Sequence, residues 1–308
     1  MSITLATQTV AAIDGCMKAD QGATYRGWLA KVISHVGDAY DTNKPSHRSH
    51  MGASLIGGDC GRAIWYGFRW ATKPTFEGRM IRLFNRGHLE EARFIAMLLS
   101  IGCQIYQQDE NGKQFRISHA EGHFGGSGDG IAIGIPDLPP RQPCLTEFKT
   151  HNDKSFSELK AKGVMEAKWE HYVQMNVYMR KMGIPVCLYL AVNKNNDELY
   201  GEIVVLDPII ADQMLERGDR LVWSDTPPDR IAKTPGFWKC RFCNHTDVCH
   251  KGAAPDRNCR TCQHSTPTSE AKWICNRPVQ PIGEGANVVI DKEIMQVGCS
   301  EYEQKREF

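Results

Sequence analysis

The chain has 308 residues, 41% of them hydrophobic and 24% charged, with a formal net charge of +1. This is ordinary globular usage, which excludes a fibrous or wholly disordered chain, and the near-zero charge gives no global attraction to nucleic acid. No run of roughly 18 uncharged apolar residues suits a membrane span and no basic-then-apolar leader opens the chain, so the expectation is a cytoplasmic protein without a membrane partner, in the host cytoplasm if viral.

Residues 1–50 read as a helical segment, with Ile13, Met17, Trp28, Leu29, Val32 and Ile33 apolar and a polar run from Asp41 to His47. Leu55 to Trp70 reads as a short helix carrying Cys60. Arg79 to Ile101 reads as a longer one ended by Gly102, with Met80, Leu83, Phe84, Phe94, Ile95, Leu98 and Leu99 near helical spacing. Across this region Arg62, Arg69, Lys73, Arg79, Arg82, Arg86 and Arg93 interleave with Trp65, Tyr66, Phe68 and Trp70. That pattern is either a local nucleic-acid surface or a solvated helix face over buried aromatics.

Strands are expected at Gln104–Gln108, Gln114–Ser118, Gly128–Ile135 and Cys144–Lys149, as a meander broken by turn residues such as Asn111-Gly112 and Pro139-Pro140. A helix over Lys168–Met182, strands over Pro185–Asn193 and Leu199–Leu206 and a helix over Ile209–Val222 follow. The order is that of an α/β (α+β) chain. After Pro227-Pro228 the character changes, and seven of the twelve cysteines lie beyond residue 239. The expected division is 1–50, a core over 51–250, and a cysteine-rich metal-binding tail over 251–308.

In a strand, residues two apart share a face, so Glu147 and Lys149 point together while Phe148 points to the opposite layer. Asp129, in Gly-Asp-Gly before an apolar run, can reach the same spot across a hairpin. Two carboxylates and nearby carbonyls make a hard oxygen site suited to Mg2+ or Mn2+. With a lysine beside it, such a site matches phosphodiester hydrolysis. Glu-x-Lys alone usually marks an exposed strand face, but Glu91 adds a helical carboxylate upstream, and Gln174 and Tyr178, four apart, share a helical face downstream.

Gly87-x-x-x-Glu91, Gly-Asp129-Gly, Glu147-x-Lys149 and Gln174-x-x-x-Tyr178 together resemble the motif series of the PD-(D/E)xK nucleases. The similarity is to lambda-exonuclease and YqaJ-like viral (phage-type) recombination nucleases and to RecB-like CRISPR-associated nucleases, over roughly residues 50–250. The resemblance implies a restriction-endonuclease-like core, a central mixed sheet flanked by helices. It further implies metal held by Glu91, Asp129 and Glu147, a lysine, Lys149, that assists the attacking water, and Gln174 and Tyr178 positioning the scissile strand. RecB-like members usually carry a histidine where Glu91 stands, which makes His88 and Glu90 reserve candidates.

Twelve cysteines without a secretion signal point to metal ligation over disulfides. Cys240, Cys243 and Cys249 offer three thiolates in ten residues and lack a fourth ligand. Resemblance to the iron-sulfur members of the RecB-like group supplies it as Cys60, giving a [4Fe-4S] clasp that closes the core; zinc, with His245 or His250 as substitute ligands, is the alternative. Cys259, Cys262, Cys275 and Cys299 form a second set that reads as a small zinc ribbon, separable after Lys251, with Gly283–Ala286 as a flexible stretch; the other reading is a tail with incidental cysteines. Cys16, Cys103, Cys144 and Cys187 read as buried free thiols.

The leading expectation is a Mg2+- or Mn2+-dependent deoxyribonuclease, by resemblance an exonuclease of recombination or repair that acts on DNA, with a single-strand annealing or recombination protein as a possible partner. The alternative is a nucleic-acid-binding or recombination scaffold with a vestigial nuclease site. An iron-sulfur oxidoreductase lacks a dinucleotide fingerprint.

Overall fold

The structure is a computed structural model that describes residues 3–40, 42, 47–277 and 287–308. Most of the expected polar run from Asp41, and the Gly283–Ala286 stretch, lie outside them. The elements in chain order are α1 (Thr7–Asp20), α2 (Ala23–Val32), α3 (Gly37–Tyr40), β1 (Met51–Gly52), α4 (Gly61–Phe68), α5 (Gly78–Ser100), β2 (Gln104–Tyr106), β3 (Arg116–His119), β4 (Phe124–Ser127), β5 (Gly130–Ile133) and β6 (Cys144–His151). There follow α6 (Asp153–Ala167), α7 (Trp169–Met182), β7 (Val186–Asn193), β8 (Leu199–Val205), α8 (Pro208–Trp223), α9 (Trp238–Arg241), α10 (Thr246–Lys251), β9 (Ser265–Pro267), β10 (Trp273–Cys275), β11 (Val288–Val289) and α11 (Lys292–Val297). None of the helices is long and apolar enough to cross a membrane.

The chain divides into two compact units. The first comprises Met1–Lys44, Phe76–Ile117 and Ser127–Asp212, and the second Pro45–Thr75, Ser118–Gly126 and Gln213–Phe308. The core expected over 51–250 is thus shared between them, and residue 251 falls inside the second.

The first unit is built on a mixed five-stranded sheet of order β2-β5-β6-β7-β8, in which β6 and β7 run parallel and the other neighbours antiparallel. β7 lies between two strands and is buried along its whole length, so it reads as an uninterrupted apolar run and not as an alternation. α5 covers one face: Phe94, Ile95 and Leu98 pack with Leu188, Leu190 and Phe148, whose ring stacks on Phe94 at 5.0 Å. Gly102, at φ +87°, ends that helix as its sequence position implies. α7 lies on the opposite face, where its Gln174 reaches Glu147. The chain therefore has the expected central mixed sheet flanked by helices.

Three local expectations change. The meander is broken, because β3 leaves the central sheet and forms a separate one of order β1-β4-β3, in which the glycine-rich residues 124–127 make an unexpected strand. α6 went unread: only Phe156, Leu159, Gly163 and Val164 of its fifteen residues are buried, too thin an apolar stripe to stand out. Cys60 is the N-cap of α4 and does not lie within a helix.

The second unit contains that small sheet, α4, and the C-terminal segment with its antiparallel sheet β11-β10-β9. Residues 256–260 are built into it. Asp256 accepts from the Lys73 amide at 2.6 Å, the Asn258 amide donates to Trp70 O, and buried Arg260 donates to the carbonyls of Phe68 and Ser49 while stacking 3.9 Å over Trp70. The basic aromatic pattern splits here: Trp65, Tyr66, Phe68, Trp70 and Arg69 are buried, while Arg79, Arg82 and Arg86 are exposed.

Candidate active site

β6 and the turn before β5 place the acidic residues. Gly130 pairs with Thr146, so Asp129 stands opposite Glu147, and its Oδ2 accepts from the Phe148 amide at 2.8 Å. Gly130 sits at φ +155°, and a Cβ there would meet Tyr106 O at 3.0 Å and Thr146 Oγ1 at 3.3 Å, so the residue after Asp129 has to be glycine. On β6 the period of two sends Phe148 into the α5 layer and keeps Glu147 and Lys149 together. Glu147 is 1% exposed; its Oε1 is ion-paired with Lys149 Nζ and its Oε2 accepts from Gln174 Nε2 at 3.3 Å.

Glu91, on α5, is within electrostatic reach of both Asp129 and Lys149. His88 Nδ1 lies 3.7 Å from a Glu91 oxygen, one turn earlier on the helix. Glu90 is buried and paired with Arg93, which commits it to structure. Tyr178, buried, follows Gln174 by one turn of α7.

The electrostatics follow from crowding. Burial, and then the charge of Glu147, push the Asp129 carboxyl up to about 8 against the opposing pull of Lys149. Burial works against the Lys149 ammonium, but Glu147, Asp129 and Glu91 outweigh it and hold the lysine above its ordinary value. Three carboxylates share one ammonium, and a divalent cation would offset the surplus. Hard oxygen donors suit Mg2+ or Mn2+.

A network not foreseen from the sequence adjoins these groups. Tyr189 pairs in register with Glu147 on the neighbouring strand, and its hydroxyl bonds His151 Nε2 at 2.9 Å and His171 Nδ1 at 3.0 Å; His151 Nδ1 meets Ser155 Oγ at 3.0 Å. The period of two along β6 continues from Glu147 and Lys149 to His151, and His171 precedes Gln174 by three on α7. Those spacings were the available signal.

In the second unit, Cys60, Cys240, Cys243 and Cys249 line one cavity together with Tyr66, His245 and His250. Burial and the neighbouring thiols push Cys243 up, and His245 Nδ1 is engaged by Thr72 Oγ1 at 2.5 Å. Cys259 is raised to about 11 by burial and by Cys299, Cys262 and Cys275, which are within electrostatic reach of it. Among the described residues no three His, Cys, Asp or Glu side chains form a group that could hold a metal ion as they stand. Cys103, Cys144 and Cys187 are buried free thiols, and Cys16 is partly buried.

No protein-family model matches the chain, and no curated protein is similar to it. Among solved structures it is similar to two of the alkaline exonuclease LHK-Exo from Laribacter hongkongensis, one of them in complex with dAMP. Each is 13% identical, with a TM-score of 0.39, and the match covers 64% of this chain and 90% of that one. It is also similar to SSO0001, at 13% identity and a TM-score of 0.37 over 74% of this chain and 96% of the other.

Proposed function

We propose that the chain is a metal-dependent DNA nuclease whose active site is Glu91, Asp129, Glu147 and Lys149, assisted by Gln174 and Tyr178. The observation that carries this reading is the crowding of buried carboxyl groups: Asp129 and Glu147 stand opposite each other on adjacent strands, and Lys149 is paired with Glu147 and acts electrostatically on Asp129. Such an arrangement is costly for folding alone and suits a site that takes up a divalent cation.

Glu91, Asp129 and Glu147 would hold Mg2+ or Mn2+, which when bound neutralises charge on the phosphate and acidifies an attacking water. Lys149 Nζ, which is paired with Glu147, would orient the attacking water. Gln174 fixes the second Glu147 oxygen, and Tyr178 on the same helical face helps seat the scissile strand. The motif order supports the finer reading of an exonuclease that prepares ends for recombination or repair beside an annealing protein. Cys60, Cys240, Cys243 and Cys249, which line one cavity, would hold a [4Fe-4S] cluster, or zinc, and Cys259, Cys262, Cys275 and Cys299 a zinc ion.

The test is digestion of end-labelled DNA with Mg2+ or Mn2+ by the unaltered chain, Asp129→Asn and Glu147→Gln. Activity that disappears in both variants and in chelator supports the site; equal activity in all three would show that these carboxylates are the wrong ones.

A further inference from the structure

The His151–Tyr189–His171 network is unused by the mechanism above, yet it borders the same groups. His171 lies one turn before Gln174 on α7 and is partly open to solvent, whereas Gln174 is 8% exposed. Lys149 and Lys168 both act electrostatically on His171, and Lys194 joins them around His151. Lys149 and Lys168 are ion-paired with Glu147 and Glu158, and the imidazoles stay neutral beside them: burial first, then these lysines, lower His171 to about 2 and His151 to about 4.

A neutral imidazole has one N–H and one bare nitrogen, and a tyrosine hydroxyl has one proton to give. Ser155 can donate to His151 Nδ1, His151 Nε2–H to Tyr189, and Tyr189 to His171 Nδ1. The same contacts also close in the reverse sense, but donation that starts at Ser155 puts the His171 proton on Nε2. A neutral donor on the same helix as Gln174 and within electrostatic reach of Lys149 matches a phosphodiester oxygen.

Resting on the nuclease reading, we infer that His171 is a substrate-binding residue of this site, donating from Nε2 to a non-bridging oxygen of the DNA phosphate, with Tyr189 and His151 as positioning residues that fix its tautomer. A hydrogen bond to a charged group that tightens as charge builds on the phosphate acts on kcat more than on KM.

The experiment measures kcat and KM on end-labelled DNA, with thermal unfolding, for the unaltered chain, His171→Ala, His171→Gln, Tyr189→Phe and the double variant His171→Ala/Tyr189→Phe. His171→Ala is expected to lower kcat about 10- to 100-fold, the range for a hydrogen bond to a charged partner, at little changed KM and unfolding temperature. His171→Gln, whose amide can reach the Nε2 position, is expected to recover part of the loss. Tyr189→Phe should cost about tenfold in the unaltered chain and nothing further once His171 is alanine, because it acts through that ring. Three results overturn the inference while the nuclease reading stands: His171→Ala cleaving like the unaltered chain, a Tyr189→Phe loss undiminished in the double variant, or losses that track lower unfolding temperature without recovery by glutamine. No cleavage by the unaltered chain overturns both.

Discussion

Asp129 connects pH to metal. Its carboxyl is raised to about 8 by burial and by Glu147. A group whose folded value lies above its unfolded one contributes stability that is complete below the unfolded value and disappears as pH climbs through the folded one. The metal-free protein is therefore expected to lose stability from about pH 4 to about pH 8, and Asp129→Asn to flatten that loss in urea unfolding with chelator present. Unchanged pH dependence in the asparagine variant would contradict the assignment. Proton and metal compete for the same oxygens, so Mn2+ affinity, read by calorimetry, should rise over that window. Gln174 acts through geometry, since its amide donates to a Glu147 oxygen. Gln174→Ala is expected to cost cleavage about tenfold, less than loss of Lys149, and full activity of both Gln174→Ala and Tyr178→Phe would make α7 purely structural there.

Strand β6 carries both the core and the chemistry. Phe148→Ala should destabilise the first unit by about 3–5 kcal/mol in denaturant unfolding, because the ring is buried on Phe94. Gly130→Ala forces a Cβ against Tyr106 O and Thr146 Oγ1 and should cost about 1–3 kcal/mol while displacing Asp129. A Gly130→Ala protein as stable and active as its parent would mean that the turn adapts. These roles were legible because period-two spacing decides which face Glu147, Phe148 and Lys149 occupy. The placement of Asp129 across a hairpin was legible too, from its glycines. What sequence could not supply was long-range pairing: that β3 leaves the central sheet to pair with a strand over 124–127, and that His171 and His151 meet on one tyrosine from another strand. α6 escaped notice because its apolar stripe is thin and Gly163 breaks its helical geometry at φ +72°. A short apolar run does not reveal its own N-cap, which is why the position of Cys60 just before α4 is not legible from its neighbours.

At the scale of the whole molecule, both cysteine sets belong to the second unit and the carboxylates to the first, so the expected clasp joins segments 45–75 and 213–308. Cys60→Ser or Cys243→Ser is expected to bleach an anaerobically purified brown protein and to lower the unfolding temperature of that unit, whereas a colourless preparation containing zinc and no iron would refute the cluster. The tail is not the separable ribbon that its cysteine spacing suggests. Asp256, Asn258 and Arg260 bond Ser49, Phe68, Trp70 and Lys73, and Phe308 stacks on Tyr66 at 5.5 Å. Truncation after Lys251 is therefore expected to unfold the second unit in a thermal melt, and an unchanged transition would contradict this. The claim on which the rest depends is hydrolysis at the carboxylate site. Its most direct measurement is release of label from end-labelled DNA in Mg2+ or Mn2+ by the unaltered chain and by Lys149→Ala, with circular dichroism of both. Cleavage by the parent that falls by at least on the order of 10²–10³ in a folded Lys149→Ala protein is the expected result. Parental turnover by that variant, or no metal-dependent cleavage by the parent, would contradict it.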